Sequence, residues 1–246
     1  MSKSDMKNTI KSVSIDLLYK KGYFATSISD IARAAGIQKS SIYYHYSNKE
    51  DILFDILKTT ASDINESIDK CLTGVKSAEE SLRIAIQNHI FFHIDRQKEA
   101  IISDSEVRGL TIDNYKTIIQ KRDEYDRKIQ SIIKMGIDEG IFLDMDFKIL
   151  SYAIITMCTA VCMWFNLQGR LSKEETAKIY TDFILNGLKR EHTRSWFPSA
   201  GDFLDKVELI VRAKGILTPP LIAKERRWYP KEKREAGKKF NSKTTL

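Results

Sequence analysis

Residues 24–53, FATSISDIARAAGIQKSSIYYHYSNKEDIL, hold two apolar-periodic segments that are each too short to stand alone, separated by Gly36 and Ile37. Isolated helices below about 12 residues are marginal in water, so tertiary packing must hold both. In the first, Ser27 is a candidate N-cap, Asp30 sits in the first turn, and Ile28, Ile31, Ala32 and Ala35 share a face ending at Gly36. The second, Ser40 to Tyr46, has two serines, three tyrosines, a histidine and one aliphatic side chain, Ile42. An earlier helix, with Ile10, Val13, Leu17 and Leu18 in phase, stops at Gly22, where a left-handed terminator belongs. The "SNKE" that follows reads as a capping box, Ser47 with Glu50, opening a fourth helix on Ile52, Leu53, Ile56 and Leu57. A three-helix unit with a tight second turn is therefore expected at the N-terminus.

The remainder also reads as helix. Only 11 Gly and 4 Pro in 246 residues leave little room for the turns of an all-β fold. Periodic segments lie near 79–102, 111–139 and 146–167, and "SKEE" from Ser172 to Glu175 is a second capping box opening a helix to about Lys189. The expected fold class is all-α. Beyond residue 190 the texture changes, with all four prolines, two of the three tryptophans and a surplus of lysine and arginine. Residues 203–213 read as one more amphipathic helix, and the last twenty or so as extended.

Charge is unevenly placed. Of 40 Lys and Arg and 33 Asp and Glu, residues 189–246 hold 15 and 7, so the first 188 residues are nearly neutral at 25 against 26. Within those, residues 1–60 are mildly basic, with 9 against 6. Three cysteines (Cys71, Cys158, Cys162) argue against a disulfide framework, and the polar start lacks the apolar core of a secretory signal, so a cytoplasmic setting is expected. Residues 149–165, ILSYAIITMCTAVCMWF, carry no charge. Seventeen positions interrupted by Ser151, Tyr152, Thr156 and Thr159 fall short of the roughly 20 apolar residues of a membrane span, so this segment is expected in a core or a subunit interface.

Three short helices with a Gly-containing turn before the third outline a helix-turn-helix, whose third helix enters the DNA major groove. Such a helix must offer a core on one face and hydrogen bonds to phosphates and base edges on the other. Ile42 supplies the first, and Gln38, Lys39, Ser40, Ser41, Tyr43, Tyr44, His45 and Lys49 supply donors of several lengths. Residues 24–53 resemble the DNA-binding signature of the TetR (tetracycline-repressor-like) family of bacterial regulators: a Thr/Ser pair before an Ile-Ala helix, Gly-Ile, a small-residue recognition helix with Ile-Tyr-Tyr-His-Tyr, and a closing Lys-Glu. The resemblance implies that Ser27 and Ser41 hold phosphates, Tyr44 and His45 contact the backbone, and Lys49 pairs with a phosphate. Gln38, Lys39 and Tyr43 are then candidates for base edges. Ser40 departs from the family's usual Gly and Ser29 from its frequent Arg, so the operator sequence does not carry over.

The same resemblance divides the chain into a DNA-binding domain (1–52), a ligand-binding and dimerisation domain (53–190) and a basic C-terminal extension (191–246). It places a four-helix homodimer interface on 147–167 and 173–189. A twofold dimer sets two recognition helices about 34 Å apart and implies a pseudo-palindromic double-stranded DNA operator. Residues 106–110 (EVRGL) and 163–188 resemble the branch that answers acyl-CoA thioesters. A small-molecule effector of that kind needs an apolar tunnel and cations, for which Phe91, Phe92, Met157 and Trp164 with Arg108, Arg127 and Arg170 are candidates. No cofactor or membrane partner is expected. His89 and His93 have metal-compatible spacing and Cys158 with Cys162 could sense oxidants, but buried packing roles are commoner for both pairs. No nucleophile-base-orienter set points to an enzyme. The rival reading is a helical membrane-surface or protein-binding module using 149–165 and the basic tail.

Overall fold

The computed structural model describes residues 3–189; the basic extension 191–246, with its expected helix at 203–213, lies outside the described residues. Within them the chain is helical: α1 (Lys3–Lys21), α2 (Ile28–Ala35), α3 (Lys39–His45), α4 (Lys49–Leu72), α5 (Ala78–Asp95), α6 (Gln97–Ser105), a 3-10 turn (Val107–Gly109), α7 (Ile112–Asp138), α8 (Phe147–Thr159), α9 (Val161–Trp164) and α10 (Lys173–Leu188). Helix ends fall where local chemistry puts them. Ser27 accepts from the Asp30 amide while the Asp30 carboxylate accepts from the Ser27 amide, and Ser172 with Glu175 does the same at α10. Gly22 and Gly36 adopt the left-handed conformation that terminates α1 and α2.

Three boundaries differ from the sequence reading. The box expected at Ser47–Glu50 is displaced by one residue: Asn48 caps α4 through the Asp51 amide, and the Asp51 carboxylate accepts from the Ser47 amide. Glu50 is thereby released to a distant partner. The expected helix 79–102 breaks at Arg96, whose backbone turns away from the helical region and whose guanidinium pairs with Asp63 on α4. The expected 146–167 segment breaks at Ala160, leaving α8 only 13 residues, or about 20 Å, against a hydrocarbon thickness of about 30 Å.

Two apolar cores result. One joins Ile10, Leu18, Tyr23, Ile31, Ile42, Tyr46 and the first turns of α4 to Ile102 and Ile118. The other packs the later part of α4 with α5, α7, α8 and α10 around Leu82, Ile90, Ile133 and Leu185. A boundary at residue 52 would therefore cut through α4, which feeds both cores. Phe142, 1% exposed, closes the second core against Gly136 of α7, where an added Cβ would come 2.2 Å from its ring. Gly136→Ala is expected to cost about 1–3 kcal/mol despite alanine's better helix propensity; a urea titration followed by circular dichroism measures it.

Candidate nucleic-acid interface and effector cavity

The second and third helices meet as a helix-turn-helix, and α3 divides as its sequence required. Ile42 and Tyr46 are buried, whereas Gln38, Lys39, Ser40, Tyr43 and Tyr44 are exposed and Ser41 and His45 are half-buried. Gln38 occupies the N-cap position yet spends no side-chain bond on the helix end, so its amide is available outward. The Lys39 ammonium lies 5.9 Å from the Tyr43 ring centroid, and Tyr44 meets His45 edge to face at 5.2 Å. Tyr46 anchors the far end: its hydroxyl donates to Asp55 at 2.7 Å, while Lys7 and Lys11 of α1 stand 3.6 Å from the same carboxylate. Burial and that carboxylate push the Tyr46 phenol above its usual range.

Two expected phosphate contacts have intramolecular work. The Ser27 hydroxyl donates to Asp30 at 2.8 Å, a bond that holds the Asp30 carboxyl below the usual range. Lys49 donates to the carbonyls of Tyr23 and Thr26, each at 2.8 Å, and its ammonium sits 4.1 Å from the Tyr23 ring centroid. One of its three protons is left for a phosphate. Its neighbour Glu50 faces the second domain, accepting from the Thr111 amide at 2.7 Å, the Thr111 hydroxyl at 2.9 Å and the Asn114 amide at 2.8 Å. Burial opposes the Glu50 charge, but these bonds win and hold its carboxyl below the usual range. Beside it Gly109 lies under the head: an added Cβ would come 2.6 Å from Tyr23 and 3.0 Å from Leu53. These contacts between residues 50 and 111 could not be read from local sequence.

A cavity of about 520 Å³ opens among α4, α5, α6, α7 and α8. That is within the range of small-molecule sites. Leu57, Ile64, Phe92, Ala100, Ile118 and Ile155 give it an apolar wall. Of the seven effector candidates only Phe92 lines it. Phe91 and Met157 pack on the second core, Trp164 stacks on Tyr180 at 6.3 Å, and Arg108, Arg127 and Arg170 are exposed. The cations that do line the cavity are Lys121 and Arg122, the latter donating to the Ser103 carbonyl at 2.5 Å. Helical phase would have found Arg122, which falls on the stripe of Ile118, Tyr125 and Ile129.

The polar floor is the pair His89 and His93. Their rings stack with centroids 4.1 Å apart and 14° between planes. His89 Nδ1 bonds the Tyr125 hydroxyl and Nε2 the Thr159 hydroxyl, both at 2.9 Å, so neither nitrogen is left for an ion. Among the described residues no three His, Cys, Asp or Glu groups are placed to share a metal. Cys158 is buried, which pushes its thiol up to about 12, and Cys162 lines the cavity.

Burial depresses both histidines, and for His89 the neighbouring His93 adds to it. A depressed base favours the neutral folded form, so below about pH 6.5 the unfolded chain takes up protons that the folded chain refuses. Stability is therefore whole above that pH and falls as pH drops below it. The urea midpoint is expected to fall between about pH 7 and about pH 5.5, and a His89→Phe/His93→Phe variant to lose part of that slope.

Comparison with known proteins agrees with this geometry. Residues 10–56 match the family model described as bacterial regulatory proteins, tetR family, and residues 75–188 match the tetracyclin repressor-like C-terminal domain. The transcriptional repressor KstR2 of Rhodococcus jostii strain RHA1 is 24% identical over 193 residues, covering 77% of this chain and 94% of its own. The TetR-family regulator PfmR of Thermus thermophilus superposes with a TM-score of 0.68 at 29% identity, covering 74% of this chain and 99% of its own. In fold alone, the chain is also similar to AibR in complex with isovaleryl coenzyme A and operator DNA, with a TM-score of 0.68 at 23% identity over 72% and 97% of the two chains. With two family models spanning the helix-turn-helix and the helices that follow, the chain belongs to the TetR family.

Proposed function

We propose that this protein is a transcription repressor that binds a pseudo-palindromic operator as a homodimer and releases it when an acyl-CoA thioester fills the cavity. The observation that carries this reading is the cavity's position. Its walls include α6 and α7, and the segment joining those helices carries Gly109 and Thr111, which hold the DNA-binding head through Tyr23, Leu53 and Glu50. A ligand that spreads or tightens α6 against α7 shifts the head without touching it. The effect is a population shift: the ligand-bound state favours a separation of recognition helices that no longer fits successive major grooves.

The thioester class is supported by an apolar wall beside half-buried Lys121 and Arg122, which suit an acyl chain and an anionic head. Relatives point the same way: AibR was solved with isovaleryl coenzyme A, and the fatty acid metabolism regulator of Bacillus subtilis is 25% identical over 126 residues. The dimer is supported by an apolar surface that the single chain leaves largely uncovered. Ile149 and Tyr152 of α8, Met163 and Trp164 of α9, and Ile179 and Phe183 of α10 are each more than half exposed. Phe147–Trp164 is apolar enough for a membrane span but is broken at Ala160, and burial against a second copy accounts for it without lipid. Catalysis forms no part of this reading.

At the DNA, Gln38, Lys39 and Tyr43 are assigned to base edges, and Ser41, Tyr44 and His45 to phosphates. Gel shift against the DNA upstream of the gene is expected to show specific retardation whose log affinity falls with log salt by about 0.9 per phosphate neutralised. Tyr43→Ala is expected to change the ranking of operator variants, by about 1–3 kcal/mol at one base pair. A uniform loss across all variants assigns Tyr43 to the backbone instead. Acyl-CoAs are expected to reverse retardation, and operator affinity unchanged by short, medium and long acyl-CoAs removes the effector half of the proposal.

A further inference from the structure

The acyl-CoA reading leaves one wall of the cavity unexplained. A plain hydrocarbon chain needs no polar partner, yet the cavity floor holds an imidazole. His93 is 9% exposed, and its Nδ1 lies 2.8 Å from the His89 carbonyl oxygen. A carbonyl only accepts, so Nδ1 carries the proton, and in the neutral ring Nε2 is a lone-pair acceptor. Burial holds the ring in that neutral form. Among the described residues no hydrogen bond satisfies Nε2, whereas both nitrogens of the stacked His89 are satisfied within the protein.

The position of this acceptor decides what it meets. The charged lining groups, Asp104, Lys121, Arg122 and Asp126, are half-buried or exposed, and Tyr152, Thr156 and Met163 of the rim are exposed. His89, His93, Tyr125 and Ala100 are enclosed, as are Leu57, Thr60, Ile118 and Cys162. An anionic head at the cations leaves the apolar body of the molecule to this enclosed lining, in which His89 and His93 are the imidazoles. Hydrocarbon packed over Nε2 would strip it of water and give nothing back, which a buried acceptor tolerates poorly.

We propose that the effector carries a hydroxyl on its apolar body and that His93 selects it, the hydroxyl donating to Nε2. The inference rests on the acyl-CoA reading and narrows it to hydroxylated acyl thioesters. His93 is then a specificity-determining residue, with His89 positioning it from both sides: the His89 carbonyl fixes the tautomer and the His89 ring, tied to Tyr125 and Thr159, fixes the plane.

The test is calorimetric titration of the full chain with octanoyl-CoA and with its monohydroxylated isomers, the hydroxyl walked from the carbon beside the thioester carbonyl to the terminal carbon. One isomer is expected to bind about tenfold tighter than octanoyl-CoA or better. His93→Leu is expected to bring that ratio to about one while octanoyl-CoA itself binds no more weakly, because an apolar side chain now meets an apolar ligand. The variant leaves the His89 carbonyl its helical amide, so no buried group is orphaned. His93→Gln, which retains an acceptor of similar reach, is expected to keep part of the preference. If thioesters bind but no isomer is preferred, or if the preference survives His93→Leu, the inference is overturned and the acyl-CoA reading stands. If no thioester binds, both fall together.

Discussion

Two consecutive side chains in the first turn of α4 hold the molecule's two halves in register. Lys49 reaches back to the carbonyls of Tyr23 and Thr26 in the turn between α1 and α2, and Glu50 reaches forward to Thr111 and Asn114 at the start of α7. Both sets of bonds are charge-assisted, and such bonds are stronger than those between neutral groups. Because α4 also feeds both apolar cores, the head cannot turn on the body without breaking the Glu50 contacts or sliding Gly109 across Tyr23 and Leu53. A protein that must convert a small-molecule event into a change in helix spacing needs a junction of this kind, tight enough to transmit and built from few enough contacts to have a second arrangement.

The cavity and the junction share their walls. Ile101, Ser103 and Ser105 of α6 line the first, and the residues that follow them, from Glu106 to Thr111, form the second. The hydroxyl of Ser103 is enclosed and has no partner among the described residues, and its carbonyl takes the Arg122 guanidinium. Any ligand group drawing Arg122 to itself competes with that bond and frees the end of α6 from α7. His89 and His93 line the same cavity.

Local chemistry was legible in the sequence, and distant pairing was not. Ser27 with Asp30, Ser172 with Glu175, the stops at Gly22 and Gly36, and the burial of Ile42 depend on residues within a turn or on an apolar stripe, and the structure has them as read. Glu50 shows the limit: as the fourth residue of "SNKE" it reads as a cap, but its partners lie 61 and 64 residues away, and Asn48 with Asp51 caps the helix instead. The break at Arg96 likewise has no Gly or Pro to mark it locally, and the partner of its guanidinium, Asp63, lies 33 residues earlier. For the cavity, choosing arginines by type picked Arg108, Arg127 and Arg170, which are exposed and do not line it, whereas phase along α7 picks Arg122 and phase along α5 picks His89 and His93.

The central claim is that the Glu50 junction carries the coupling between cavity and operator. Its most direct test is the ratio of operator affinities with and without a saturating acyl-CoA, measured in the unmodified chain and in Glu50→Ala. The account predicts a ratio of about tenfold or more in the former, and a ratio near one in Glu50→Ala with acyl-CoA affinity in the absence of DNA retained. A Glu50→Ala chain whose operator affinity still falls by the full ratio when acyl-CoA binds would contradict it.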